Sequence, residues 1–105
     1  MNSVAPTAEL TGSVLKVAGE VDADSVVTLR KRGEHLLNAA NGPLTIDLSG
    51  LVTAHSVVLS MLLCWHRLAL KNNTELTFEG ASDRLQSLAA LSNLQGQIPG
   101  FATHS

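Results

Sequence analysis

The sequence predicts an α/β domain: a small, mixed but mainly parallel sheet packed by helices, in the order β-β-α-β-α-β-α. Three observations lead there. Short β-branched segments (SVLKVA, LTIDL, ELTF) alternate with segments whose apolar residues recur at three- and four-residue steps. Strands joined through helices favour right-handed crossovers, which make neighbouring strands parallel. The chain has 105 residues, the size of one domain, and shows neither an internal repeat nor a linker.

Taken in order, Glu9–Leu10, the turn Thr11–Gly12 and Ser13–Ala18 read as strand, turn, strand. Asp22 or Asp24 is placed to cap the first helix by accepting backbone N–H bonds. Val26, Leu29, Gly33, Leu36, Leu37 and Ala40 line one face of that helix, and Asn41–Gly42–Pro43 stops it. Gly33 weakens the helix, and close approach of a neighbouring element would explain it. Leu44–Leu48 is a short buried strand, and SGLVTAH reads as a loop. Ser56–Lys71 is the second helix, Asn72–Asn73 its stop, Glu75–Phe78 the last strand, and Ser82 the cap of a third helix lined by Leu85, Leu88, Ala89 and Leu94. The boundaries are residues 1–12 for an N-terminal extension with the first short strand, 13–95 for the main domain and 96–105 for a weakly patterned tail, which either adds an edge strand or stays mobile.

Composition narrows the function. A net charge of −2 supplies no basic field for nucleic acid or anionic lipid, and three aromatic residues make a poor stacking platform for single strands. One cysteine excludes an internal disulfide and a cysteine-built zinc site. The first residues lack the basic and apolar regions of a signal peptide, and no apolar run approaches the roughly 20 residues a spanning helix needs. The expectation is a cytoplasmic protein without membrane insertion.

The segment Ser56–Lys71 carries the most information. On a helical wheel Val58, Leu62, Trp65 and Ala69 share a core face, flanked by Leu59, His66 and Leu70 on one side and by Met61 and Leu68 on the other. Ser56, Ser60, Arg67 and Lys71 form the opposite stripe, and Val57, Leu63 and Cys64 lie in or beside it. Two readings of this greasy outer rim stand: a neighbouring helix covers it, or another protein docks on it. Ser56 likewise has two readings. Its hydroxyl either caps the first turn or stands free at the positive end of the helix dipole, open to phosphorylation or to a protein contact.

SVLKVAGEVDADSVVTL, LTIDLSGL, the run from Ser56 to Leu70 and ELTFEGASDRLQSLAALSNL together resemble a STAS domain, from about Ser13 to Leu94. The GEVD turn and the IDLSGL…HSVVLSMLL block are the most specific parts. In the anti-sigma-factor-antagonist branch the resemblance implies a phosphorylated hydroxyl in an Asp-Ser-Ser/Thr-Gly motif. Here that stretch is His55–Ser56–Val57–Val58: Ser56 keeps the hydroxyl, His55 replaces the acid, and bulky valines replace small residues. A regulatory switch with Ser56 as phosphosite is therefore the second choice. The similarity is greater to stand-alone STAS subunits of phospholipid-transport ABC systems of Gram-negative bacteria. It implies a non-enzymatic subunit, without a cofactor, that binds the transporter's ATPase and through it the permease at the inner membrane. His55, Ser56, Val57, Ser60, Leu63, Cys64 and Arg67 are the expected partner-binding residues, and a homodimer of the isolated domain is left open.

Other chemistry finds little support. The histidines (His35, His55, His66, His104) form no HxxxH pair and have no carboxylate at ligand spacing, so no metal is expected. His55 beside Ser56 lacks a third orienting group and a Gly-x-Ser-x-Gly elbow, so hydrolase chemistry is not expected. No glycine-rich phosphate loop is present, and Arg30–Lys31–Arg32 reads as a solvated helix face.

Overall fold

A computed structural model describes residues 5–40, 42–52 and 56–91. Its elements are β1 (Thr7–Thr11), β2 (Val14–Gly19), α1 (Val26–Ala39), β3 (Leu44–Leu51), α2 (Ser56–Lys71), β4 (Leu76–Glu79) and α3 (Asp83–Leu91), the expected order. The four strands lie in sequence order, β1 antiparallel to β2 and the remaining pairs parallel. Gly12, at a φ of 63°, permits the tight β1–β2 turn.

Alternation along the strands fixes where the core lies. Ala8, Leu15, Val17, Leu44, Ile46, Leu48, Leu76 and Phe78 are buried, whereas their neighbours Glu9, Lys16, Asp47 and Glu79 stand in one row across the other face. Parallel strands usually have both faces covered. Here polar residues alternate in because sequential right-handed crossovers place the helices on one side.

The α1–α2 contact closes the core. Gly33 of α1 lies against the Trp65 indole, and a Cβ there would sit 2.2 Å from Trp65 Cζ2. Trp65, fully buried, donates its Nε1–H to the Arg30 carbonyl at 3.0 Å. The close approach anticipated for Gly33 is thus made by an aromatic ring.

Neither Asp22 nor Asp24 caps α1 as expected: its N-cap is Ser25, which makes no side-chain cap bond, and Asp22 instead closes the turn just before the helix. Its Oδ1 accepts the N–H of Asp24 and of Ser25, while Ser25 Oγ accepts the N–H of Asp22. Those bonds, chiefly Ser25's, lower the Asp22 pKa. Ser82 Oγ accepts the Leu85 N–H at the head of α3.

β1, β2 and β4 differ from the sequence reading by a residue or two at their ends, and the end of β3 differs most. Residues 49–51 were expected in a loop but continue β3. Ser49 and Gly50 are turn formers, yet Gly50 and Leu51 pair with Ala18 and Gly19. A Cβ on Gly50 would meet Ala18 Cβ at 2.7 Å, so the glycine serves close strand approach rather than a turn. The register shifts between Lys16 and Ala18, leaving an extra residue on β3. At that bulge Asp47 Oδ1 accepts both the N–H and the hydroxyl of Ser49, at 2.9 and 2.7 Å. Leu94 and the tail, with its expected edge strand, lie outside the described residues.

Candidate functional site

The C-terminal ends of parallel strands and the helix starts that follow them are the usual binding edge of an α/β sheet. Here β3 delivers the chain to the head of α2 at that edge. Val52 N–H donates to the Gly19 carbonyl at 3.0 Å, which ties the exit of β3 to the end of β2. α2 is then locked by its buried stripe of Val58, Leu59, Met61, Leu62, Trp65 and Ala69. The outward stripe is fixed by what lies beneath it.

On that stripe Ser56, Ser60 and Arg67 are exposed, and Leu63 is half-buried among them. Positions i, i+4, i+7 and i+11 follow one line along a helix. The Ser56 hydroxyl makes no hydrogen bond among the described residues and so supplies no side-chain cap to the first-turn N–H groups. It is solvent-facing at the positive end of a 16-residue helix. Arg67 forms no ion pair among the described residues. Val57 and Cys64 occupy the next line, both half-buried, and Cys64 is a free thiol. His55 lies outside the described residues.

The outer rim is less greasy than expected. Val57 and Leu63 pack partly against the core. Among the described residues the large apolar side chains that stand exposed are Val27, Val52, Leu70 and Leu91. Val52, 68% exposed, stands at the exit of β3, four residues before Ser56 in sequence. Sequence reasoning missed it by treating residues 49–55 as one loop. The alternation of LTIDL carried on to Val52 points it inward, and the bulge on β3 breaks that phase.

Reactive chemistry is sparse around this edge. Among the described residues no group of three or more His, Cys, Asp or Glu is placed to hold a metal ion. His66 is half-buried on α2, with its Nδ1 shielded and unpartnered. Asp47 is held below its ordinary pKa by the Ser49 hydroxyl and N–H and by the Lys16 charge; its two-bond attachment to Ser49 spends the carboxylate on the bulge. No helix among the described residues is long and apolar enough to cross a membrane. The arrangement is suited to contact: two hydroxyls, a half-buried leucine and, about three turns further along the same stripe, a guanidinium without an ion pair among the described residues.

Known proteins share this framework. The sequence matches the family described as "Mlab, STAS domain" over residues 4–100. It is 33% identical over 88 residues to the intermembrane phospholipid transport system binding protein MlaB of Escherichia coli (strain K12), covering 84% of this chain and 88% of that protein. The protein of that name from Shigella flexneri matches equally. Among solved structures, an anti-sigma factor antagonist from Mycobacterium paratuberculosis aligns with a TM-score of 0.74 at 22% identity, over 93% of this chain and 85% of the other. SpoIIAA in its unphosphorylated form gives 0.70 at 17% identity, over 95% and 90%. At these identities the two structures speak for the fold alone.

Proposed function

The chain belongs to the MlaB-type STAS domain family, and from that membership and the exposed head of α2 we infer that it is a non-enzymatic accessory subunit of a phospholipid-transport ABC system, binding the system's ATPase. The observation that carries the reading is the exposed Ser56 hydroxyl, without a partner among the described residues, on a helix end held by buried Val58 and Leu59, with exposed Val52 close in sequence. Rigid placement lowers the ordering cost of association. A solvent-facing apolar residue bordered by polar groups supplies the contact. Docking of Val52, Ser56, Val57, Ser60, Leu63, Cys64 and Arg67, with His55 beside them, favours the ATPase state that binds this surface best. Turnover responds only through that difference in affinity between states. The subunit performs no chemistry, stays on the cytoplasmic side and reaches the permease through the ATPase.

The test is Ser56→Glu, which puts an unpaired charge into a desolvated contact. Affinity for the purified ATPase, read by titration calorimetry, is expected to fall at least about tenfold with the circular-dichroism melt unchanged. Unchanged affinity removes Ser56 from the contact.

The exposed hydroxyl also favours a second reading, a switch in which a kinase phosphorylates Ser56. Intact-mass analysis of protein taken from its native cell separates the two. Stoichiometric phosphate that disappears in Ser56→Ala supports the switch; unmodified protein bound to the ATPase supports the transporter subunit.

A further inference from the structure

An open groove of about 580 Å³ runs along the free edge of β1, between that strand and the first half of α1. Its volume falls in the roughly 300–1,000 Å³ range of built ligand sites. The β1–β2 turn closes on the pair Thr11 and Val14, so the backbone groups of Thr7, Glu9 and Thr11 face β2, and those of Ala8 and Leu10 face outward. The Ala8 carbonyl confirms this direction by accepting Arg32 Nε at 3.2 Å. The N–H groups of Ala8 and Leu10 and the Leu10 carbonyl have no partner among the described residues; Ala8 as a whole is 4% exposed with Arg32 on its carbonyl, so an incoming strand reaches it only as Arg32 moves aside. Across the groove stand Thr28, exposed, and Leu29, buried at its floor.

We propose that this groove takes an extended, acidic segment of a partner protein, which adds to β1 as a fifth strand. The free edge requires an occupant that returns N–H and C=O groups in alternation, which an extended backbone does. An acyl chain would strip water from those groups and replace nothing. Two charged residues line the groove: Glu9, whose side chain stands in the row on the far face of the sheet, and Arg32, which sets the charge on the α1 side. With Nε on Ala8, its terminal nitrogens form no ion pair among the described residues, whereas Arg30 is already engaged by Glu34. A carboxylate on the incoming segment pairs with the Arg32 fork and draws it toward the new strand. Without such a segment, Arg32 on Ala8 and the preceding Pro6, which has no N–H, guard the edge against indiscriminate pairing. This inference stands apart from the contact at the head of α2.

The test selects a phage-displayed library of random nine-residue peptides on the full-length protein, then adds the best peptide to 15N-labelled protein. Acidic, alternating sequences should emerge. They should shift the amide signals of residues 7–11 and 28–32 and slow hydrogen exchange at Ala8 and Leu10. Thr28→Trp, an exposed position that fills the groove, should weaken binding at least about tenfold, as should N-methylation of alternate peptide bonds. Arg32→Gln should erase the preference for acidic residues. The proposal is overturned if no peptide is enriched over the Thr28→Trp control, or if the shifts map elsewhere. Full binding by the N-methylated peptide also overturns it. So does competition by dodecanoate with the same shifts, which marks an acyl-chain site, or concentration-dependent broadening of β1 signals without peptide, which marks a second copy.

Discussion

Replacing Gly33 with alanine sets two effects against each other, and the geometry decides the sign. In an isolated helix the change is favourable by up to about 1 kcal/mol. In this fold the new Cβ would stand 2.2, 2.3 and 2.6 Å from Trp65 Cζ2, Cε2 and Nε1. Carbon atoms pack at about 3.5–4.0 Å, so the ring must retreat by more than about 1 Å. Trp65 is fully buried and has no open side to retreat into. Overpacking of this kind costs about 1–3 kcal/mol. Pulling Nε1 off the Arg30 carbonyl strands a buried donor at about 1–3 kcal/mol more. The net destabilisation is about 1–5 kcal/mol, a fall in Tm of at least about 4 °C for a domain of this size. Trp65 is the only tryptophan, so its emission reports the contact directly as the protein melts. Combining Gly33→Ala with Trp65→Phe, followed by circular dichroism, should recover part of the loss as a coupling of at least about 0.5 kcal/mol. A Gly33→Ala protein that melts at or above the wild-type temperature refutes the packing argument.

Other consequences follow from the same geometry. Asp47 has a depressed folded pKa, so its ionised form stabilises the fold above the ordinary carboxylate value, and that contribution is lost as pH falls through the folded pKa. Ser49→Ala removes the largest cause, so the urea midpoint should drop less between pH 7 and pH 3 than in the wild type; equal drops would count against the Asp47–Ser49 pairing. Val52→Ser alters a side chain that is 68% exposed, so stability should stay within about 0.5 kcal/mol while affinity for the ATPase falls; full affinity would show that Val52 lies outside the contact.

Much of this was legible in the sequence because local signals agreed with the global fold. The three- and four-residue apolar steps located α1 and α2, and the wheel of α2 placed Val58, Leu62, Trp65 and Ala69 inward, as they are. Gly33 was recognised as a point of close approach, although nothing local named Trp65, 32 positions away, as the neighbour. Residues 49–51 were misjudged because Ser-Gly is locally a turn signal, whereas pairing with Ala18 and Gly19 is a property of the sheet. The rim of α2 was expected to be greasier than it is. A wheel shows direction but not how far the core reaches around a helix, and Val57 and Leu63 are drawn partly into it. The groove along β1 had no sequence signal, since it depends on the separation of a strand and a helix distant along the chain.

In the proposed complex the head of α2 is a surface that another protein covers. Hydrogen–deuterium exchange of the protein alone and with the purified ATPase of its transport system tests this most directly. Slowed exchange over residues 56–63, where the first turns of α2 lie, is the expected result. A stable complex in which those residues exchange as fast as in the free protein, with protection confined to other elements, would contradict it.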